Sequence, residues 1–285
     1  MNTKKEEQWD LIIKPRAPFF NLNFQELWQY RDLLLLMVKR DVTTVYKQTV
    51  LGPLWFFLQP VLTTFIFTIV FSEIAGLPTG QTPAILFYLS GLIIWNFFSE
   101  TVLSTSKTFT ENAAVFGKVY FPRLIMPIAK TISGFLKFFI QLGLFIFVLA
   151  YFYLFKDLPY AWNEVLFLVP LLFLLMALLG LGTGIILSAL TTKYRDLVFL
   201  ITFGIQLLMY ATPVIIPLSD VPNRYLWIMK LNPMTPIIET FRYVFLDAGS
   251  FDPMGLLYSA VLALVVLLCG IMIFNRVEKS FVDTV

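Results

Sequence analysis

VLFLVPLLFLLMALLGLGTGIILSAL, residues 165–190, runs for 26 residues without one charged side chain. As a helix rising about 1.5 Å per residue it can cross the roughly 30 Å hydrocarbon core of a bilayer, where only helices and closed barrels satisfy their own backbone polar groups. Five other runs are uncharged or nearly so: residues 54–74, 83–105, 132–155, 197–216 and 255–275. Numbered spans one to six in chain order, they predict an all-α integral membrane protein with six transmembrane helices, one membrane domain over residues 1–285. The composition agrees, with 58% hydrophobic, 17% aromatic and 14% charged residues. A soluble protein of that content lacks the polar surface to stay dissolved.

Lysines and arginines orient the spans. Lys4, Lys5, Lys14, Arg16, Arg31, Lys39, Arg40 and Lys47 precede span one, whereas the loop before span two has no basic residue. Lys107, Lys118, Arg123 and Lys130 follow span two, and Lys193 and Arg195 follow span four. The excess of positive charge puts both termini and these loops in the cytoplasm, with residues 217–254 outside. The charged start MNTKKEEQWD has no short apolar stretch and cleavage site behind it, so no removable signal peptide is expected.

Residues 23–51 read as an amphipathic helix lying in the cytoplasmic interface. Asn23 and Glu26 have the spacing of a capping box, and Leu27, Trp28, Leu34, Leu35, Val38, Val42, Val45 and Tyr46 recur at three- and four-residue steps. It either anchors span one or helps to shape a cavity. Glu100, Lys130 and Lys137 mark span ends, where long side chains snorkel toward headgroups.

Much chemistry is excluded. There is one cysteine, Cys269, and no histidine, which rules out disulfide frameworks and His or Cys metal sites. Gly117-Lys118 is followed by Val119, with Asn112 where a phosphate loop needs its first glycine, so ATP is not bound by that route. Spans four to six hold no Asp, Glu, Lys or Arg in their interiors, so proton-coupled transport lacks a relay. No nucleic-acid partner is expected.

What the spans do offer is neutral polarity. Trp55, Gln59 and Thr63 in span one, and Thr202, Gln206 and Tyr210 in span five, each fall at i, i+4 and i+8 on one helix face. They either line a passage suited to sugars or hydrogen-bond to neighbouring helices. Gly180, Gly184 and Ser188 in span four are small residues at four-residue spacing, a pattern for close helix packing. Pro60 and Pro213 predict kinks or breaks.

The external segment 217–254 is apolar enough to re-enter the membrane but too short to cross. Thr235 and Pro236 suit a helix start, Ile237, Ile238, Phe241 and Phe245 give an apolar stripe, Gly249 suits the end, and Glu239 can pair with Arg242 or Tyr243. Glu239 with Asp247 or Asp252 is also the one external carboxylate cluster that a membrane transferase could use.

Between spans two and three lies VFGKVYFPRLIMP, residues 115–127, a basic elbow punctuated by Pro122 and Pro127. On the residues alone it either satisfies the positive-inside rule and ends a turn, or it docks a partner.

RDLLLLMVKRDVTTVYKQTVLGPLW (31–55), FGKVYFPRLIMP (116–127), and ATPVIIPLSDVP (211–222) followed by LNPMTPIIETFR (231–242) together resemble the membrane subunit of ABC-type polysaccharide and polyol-phosphate exporters. That family includes bacterial permeases for O-antigen, capsule and wall teichoic acid. The resemblance runs from about residue 24 to the C-terminus, and Val45 stands where a basic residue is expected. It implies a short coupling helix over Gly117, Lys118, Tyr120, Phe121, Pro122 and Arg123 within a cytoplasmic coupling loop, 107–130, that docks into a separate ATPase subunit. An aromatic anchor, Tyr120 or Phe121, would carry force there, rimmed by Lys118 or Arg123. It further implies a homodimer with two ATPase subunits that hold ATP and Mg, this chain itself binding no cofactor and being no enzyme. It implies an export channel lined by Trp55, Gln59, Thr63, Thr202, Gln206 and Tyr210. External gate helices would involve Pro213, Pro236, Glu239 and Arg242. The cargo expected is a lipid-linked polysaccharide crossing the bacterial inner membrane; a small-lipid or drug exporter of the same fold group is the alternative.

Overall fold

The computed structural model describes residues 24–47, 51–116, 118–156, 158, 164–194 and 196–282. Asn23, Gly117, Arg195 and the basic residues of the N-terminus lie outside them. The described residues form helices and no strand: α1 (Phe24–Gln29), α2 (Arg31–Lys47), α3 (Trp55–Phe67), α4 (Ala84–Ser106), α5 (Thr108–Phe116), α6 (Ile125–Phe155), α7 (Val169–Lys193), α8 (Leu197–Tyr210), α9 (Asn223–Leu231), α10 (Met234–Leu246) and α11 (Pro253–Val282). Among them five segments are long and apolar enough to cross a membrane: Gly52–Ile74, Ala84–Ser106, Ile125–Phe155, Glu164–Lys193 and Pro253–Val277.

The fifth predicted span is shorter than expected. Instead of filling residues 197–216, α8 stops at Tyr210 after 14 residues, about 21 Å at the helical rise. The cause is Pro213, which lacks an N–H and disfavours helical backbone at the residue before it. The Thr212 hydroxyl donates to the Leu208 carbonyl at 2.7 Å, closing the last turn. Pro60 behaves otherwise: α3 continues across it, and the helix widens into π geometry only over Thr68–Ile74.

The third span starts earlier than residue 132. Pro127 sits in the first turn of α6, where no backbone N–H is needed, so the helix reaches back to Ile125. The helix of the first inner loop is likewise displaced: α5 ends at Phe116, and residues 118–124 are turn and irregular backbone, not a coupling helix. Of the predicted helix 23–51, residues 24–47 form α1 and α2 with a turn at Tyr30, bridged by Tyr30 N–H to Glu26 O and Leu34 N–H to Tyr30 O.

Packing is organised around α4 and α7. From Leu86 to Phe98 nearly every residue of α4 is buried. The small face of α7 meets it so closely that a Cβ on Gly184 would overlap Thr105 Oγ1 and one on Gly180 would lie 3.0 Å from Thr101. Another glycine, Gly182, brings α7 against the backbone of Leu267 on α11. A second core forms at the end where α5 meets α6, here the elbow end: Phe109, Phe116, Phe121, Leu124 and Ile125 pack with Phe274 of α11, and Leu33, Leu34 and Met37 of α2 lie on them. Of the predicted α1–α2 stripe, Leu27, Leu34 and Val38 join that core whereas Trp28 and Leu35 are exposed.

Candidate functional site

At the elbow, neighbouring residues divide into two roles. Phe121 is 4% exposed, its ring 5.7 Å from that of Phe116, and Arg123 is buried with its guanidinium 5.2 Å over the Phe116 ring. Val119 and Tyr120 project, 60% and 74% exposed, with Lys118 exposed beside them. Lys118 and Val119 N–H both bond to Val115 O, which holds the tip against the end of α5. The elbow is thus a small outward knuckle bolted by an aromatic and an arginine to the elbow-end core; Pro122 is half-buried between them.

Three ion pairs tie this region together, and sequence reasoning missed them. Lys130 of α6 stands 3.4 Å from Asp41 of α2 and 3.7 Å from Glu111 of α5, so one ammonium joins the α1–α2 arm, the helix before the elbow and the helix after it. Glu100 of α4 pairs with Lys137 of α6. The signal available was Asp41, an acid alone in the basic run Lys39 to Lys47.

The two polar stripes lie on the outside of the chain. Trp55, Gln59, Thr202, Gln206 and Tyr210 are exposed and Thr63 is half-buried. Thr202 donates back to its own helix, to Val198 O at 2.8 Å, and none of the six bonds to a neighbouring helix among the described residues.

At the opposite end, Arg242 is fully buried on α10. Its Nε donates to Ser90 Oγ at 3.3 Å, Nη2 donates to Phe87 O and Val214 O at 3.1 Å each, and Nη1 donates to Pro213 O. The guanidinium lies 3.6 Å over the Phe87 ring and 3.7 Å from Glu239 Oε1. Burial lowers its pKa to about 10, opposed by the Glu239 charge, so it stays protonated at neutral pH. Burial also raises the carboxyl pKa of Glu239, opposed by Arg242 and by hydrogen bonds from Ser250 and Leu218. One side chain therefore ties α10 to the start of α4 and to the broken end of α8, and Gly91 must lack a Cβ because one would sit 2.6 Å from Nη2. Pro236 packs in the same segment, against Gly255.

The start of α10 is set by Asn232 rather than Thr235. Asn232 Oδ1 accepts from Met234 N–H at 3.0 Å while its amide donates to Thr212 Oγ1 at 2.9 Å; Thr235 instead donates to Met229 O. The end is set at Asp247, in left-handed backbone with φ 50°, two residues before Gly249. A cavity of about 530 Å³ opens here, with Glu239, Asp247 and Lys230 in its wall. Asp252 accepts from Met254 N–H, and no group of three metal-ligating side chains occurs among the described residues.

The long apolar helices agree with the comparison to known proteins. The profile of the family described as ABC-2 type transporter matches residues 32–246. The chain belongs to the ABC-2 type transporter membrane family. Within it, this ABC-2 chain is 28% identical over 263 residues to an O-antigen export system permease protein RfbA of Myxococcus xanthus, covering 92% of this chain and 98% of that protein. It is 26% identical over 253 residues to a protein of the same name from Klebsiella pneumoniae, covering 88% and 94%. The polysialic acid transport protein KpsM of Escherichia coli is 22% identical over 255 residues, covering 86% and 93%.

Proposed function

We propose that this ABC-2 chain is the permease subunit of a bacterial inner-membrane exporter of a lipid-linked, O-antigen-type polysaccharide, driven by ATP hydrolysis on a separate subunit. The observation that carries the reading is the knuckle at Lys118–Tyr120, exposed at its tip and locked at its base by Phe121 and Arg123. A docking element that transmits force needs both properties: an aromatic anchor for a partner's pocket and a rigid connection behind it. Lys130 extends that connection to α2 and α5.

The rest of the assembly follows from the outward stripes. Two copies of the chain, each with an ATPase bound at its elbow, would enclose a passage between the exposed faces of α3 and α8. There Trp55, Gln59, Thr63, Thr202, Gln206 and Tyr210 supply aromatic and uncharged hydrogen-bonding surface for sugar hydroxyls. The α9–α10 segment would cap the outer mouth, and α8 with its following turns would complete a sixth crossing that returns both termini to the cytoplasm. ATP and Mg belong to the partner.

The test is co-purification with the ATPase expressed alongside. Tyr120→Ala and Lys118→Glu are expected to abolish the complex or its stimulated ATP hydrolysis while the permease itself runs as a folded species. Normal binding and stimulation by both variants would remove the elbow as the coupling element and the proposal with it.

A further inference from the structure

A cavity of about 350 Å³ opens at the elbow end between α2, α3, α4 and α6. Its wall carries both signs of charge: Arg40 and Asp41 from α2, Glu100 from α4, and Lys130 and Lys137 from α6, with Ser133 beside them. Glu100 and Lys130 each lie within two turns of the elbow ends of their helices, the depth at which headgroups meet hydrocarbon.

These charges leave bonding capacity unspent. Asp41 Oδ1 accepts from Arg40 at 2.9 and 3.1 Å, but the buried Oδ2 accepts no hydrogen bond among the described residues. Lys130 Nζ stands 3.4 Å from that oxygen and 3.7 Å from Glu111. Both are ion-pair contacts longer than an ordinary N–H···O bond, so the ammonium keeps donors for a further acceptor. Ser133 is 7% exposed and its hydroxyl has no hydrogen-bond partner among the described residues. Buried polar groups left this way carry a free-energy penalty that a ligand can relieve. The ligand wanted here donates to a carboxylate and accepts from an ammonium and a hydroxyl.

We propose that the cavity holds the headgroup of a zwitterionic phospholipid of the phosphoethanolamine type. The phosphate accepts from Lys130 and Ser133, and the primary ammonium donates to Asp41. Mixed charge is what selects it. A purely anionic headgroup brings no cation to the carboxylates, and a quaternary choline brings charge but no N–H to donate. The acyl chains follow the exposed apolar surface of Leu136 and Phe139 on α6 and Phe57 on α3. Bound there, the lipid wedges α2 against the helix that leaves the elbow. The inference is independent of the cargo.

Native mass spectrometry of the detergent-purified chain tests it, titrated in turn with phosphatidylethanolamine, phosphatidylcholine, phosphatidylglycerol and inorganic diphosphate. The expected result is one retained phosphatidylethanolamine, bound about tenfold more tightly than the other two lipids. Ser133→Ala removes a hydroxyl that bonds nothing among the described residues, so the melting temperature holds while phosphatidylethanolamine affinity falls about three- to tenfold. Lys130→Gln lowers it about tenfold or more. Glu73→Gln, away from the cavity, leaves it unchanged. Equal retention of the three lipids, diphosphate binding as tight as phosphatidylethanolamine, or a Ser133→Ala variant with wild-type affinity each overturns the proposal.

Discussion

Arg242 is a full charge held without water, and it persists because its planar fork reaches four oxygens from two segments, the start of α4 and the turn after α8, together with the Glu239 carboxylate of its own helix. Lysine offers a point charge on a flexible stem and cannot span those acceptors. Arg242→Lys is therefore expected to lower stability by about 2–4 kcal/mol, read as thermal unfolding in detergent; a variant within error of wild type would show that the fork is not what binds the segments. Glu239 adds a pH dependence. Its folded pKa is raised by burial, so from the ordinary carboxylate range up to that raised value the folded chain keeps a proton that the unfolded chain has lost. Stability from this group is present at low pH and declines as pH rises through the window. Glu239→Gln should flatten the melting-temperature profile upward from the ordinary carboxylate range, and an unaltered profile would assign the dependence to other groups. The pairing of Glu239 with Arg242 was legible from their i, i+3 spacing. The carbonyl partners were not, because helical periodicity marks which face of α10 is apolar but says nothing of which backbone ends converge on it.

At the scale of elements, glycines separate packing from exposure. Gly184 of α7 touches Thr105 where any Cβ would overlap, whereas a Cβ added to Gly204 of α8 would meet nothing within 4 Å. Gly184→Ala should destabilise the chain by about 1–3 kcal/mol through overpacking. Gly204→Ala should be neutral or stabilising by up to about 1 kcal/mol, through helix propensity. The pair can be compared by thermal unfolding in one detergent, and equal losses would mean that α7 and α4 are not in close contact. The small-residue pattern of α7 announced a tight helix contact in the sequence. Its partner, α4, was not announced, since four-residue spacing names a face and not a neighbour. The ends of α6 and α8 were misplaced for a related reason: an apolar run reports transfer into lipid, while the helix boundary is set by proline. Pro127 is tolerated in a first turn and Pro213 stops a last one.

For the whole molecule, the outward polar stripes distinguish a wall of water from a wall of lipid. Thr202, Gln206 and Tyr210 share one side of α8, and Phe199, Phe203 and Leu207, all exposed, run beside them about 100° around the helix. If two copies enclose an aqueous passage, the first set meets water and the second meets hydrocarbon or the companion chain. A thiol reacts through its thiolate, which forms in water and is suppressed in an apolar setting. In a Cys269→Ala background, which removes the one native thiol, Gln206→Cys should therefore react with a charged, membrane-impermeant thiol reagent at least about tenfold faster than Leu207→Cys. Prior addition of the ATPase and a non-hydrolysed nucleotide should change the rate at position 206 and leave that at 207 alone, because only a passage that opens and closes with ATPase closure alters its water content. Equal, slow reaction at both positions would place the whole outer face of α8 in lipid. The polar stripes would then be surface residues of the bundle, and the route of the cargo would have to be sought along another pair of helices.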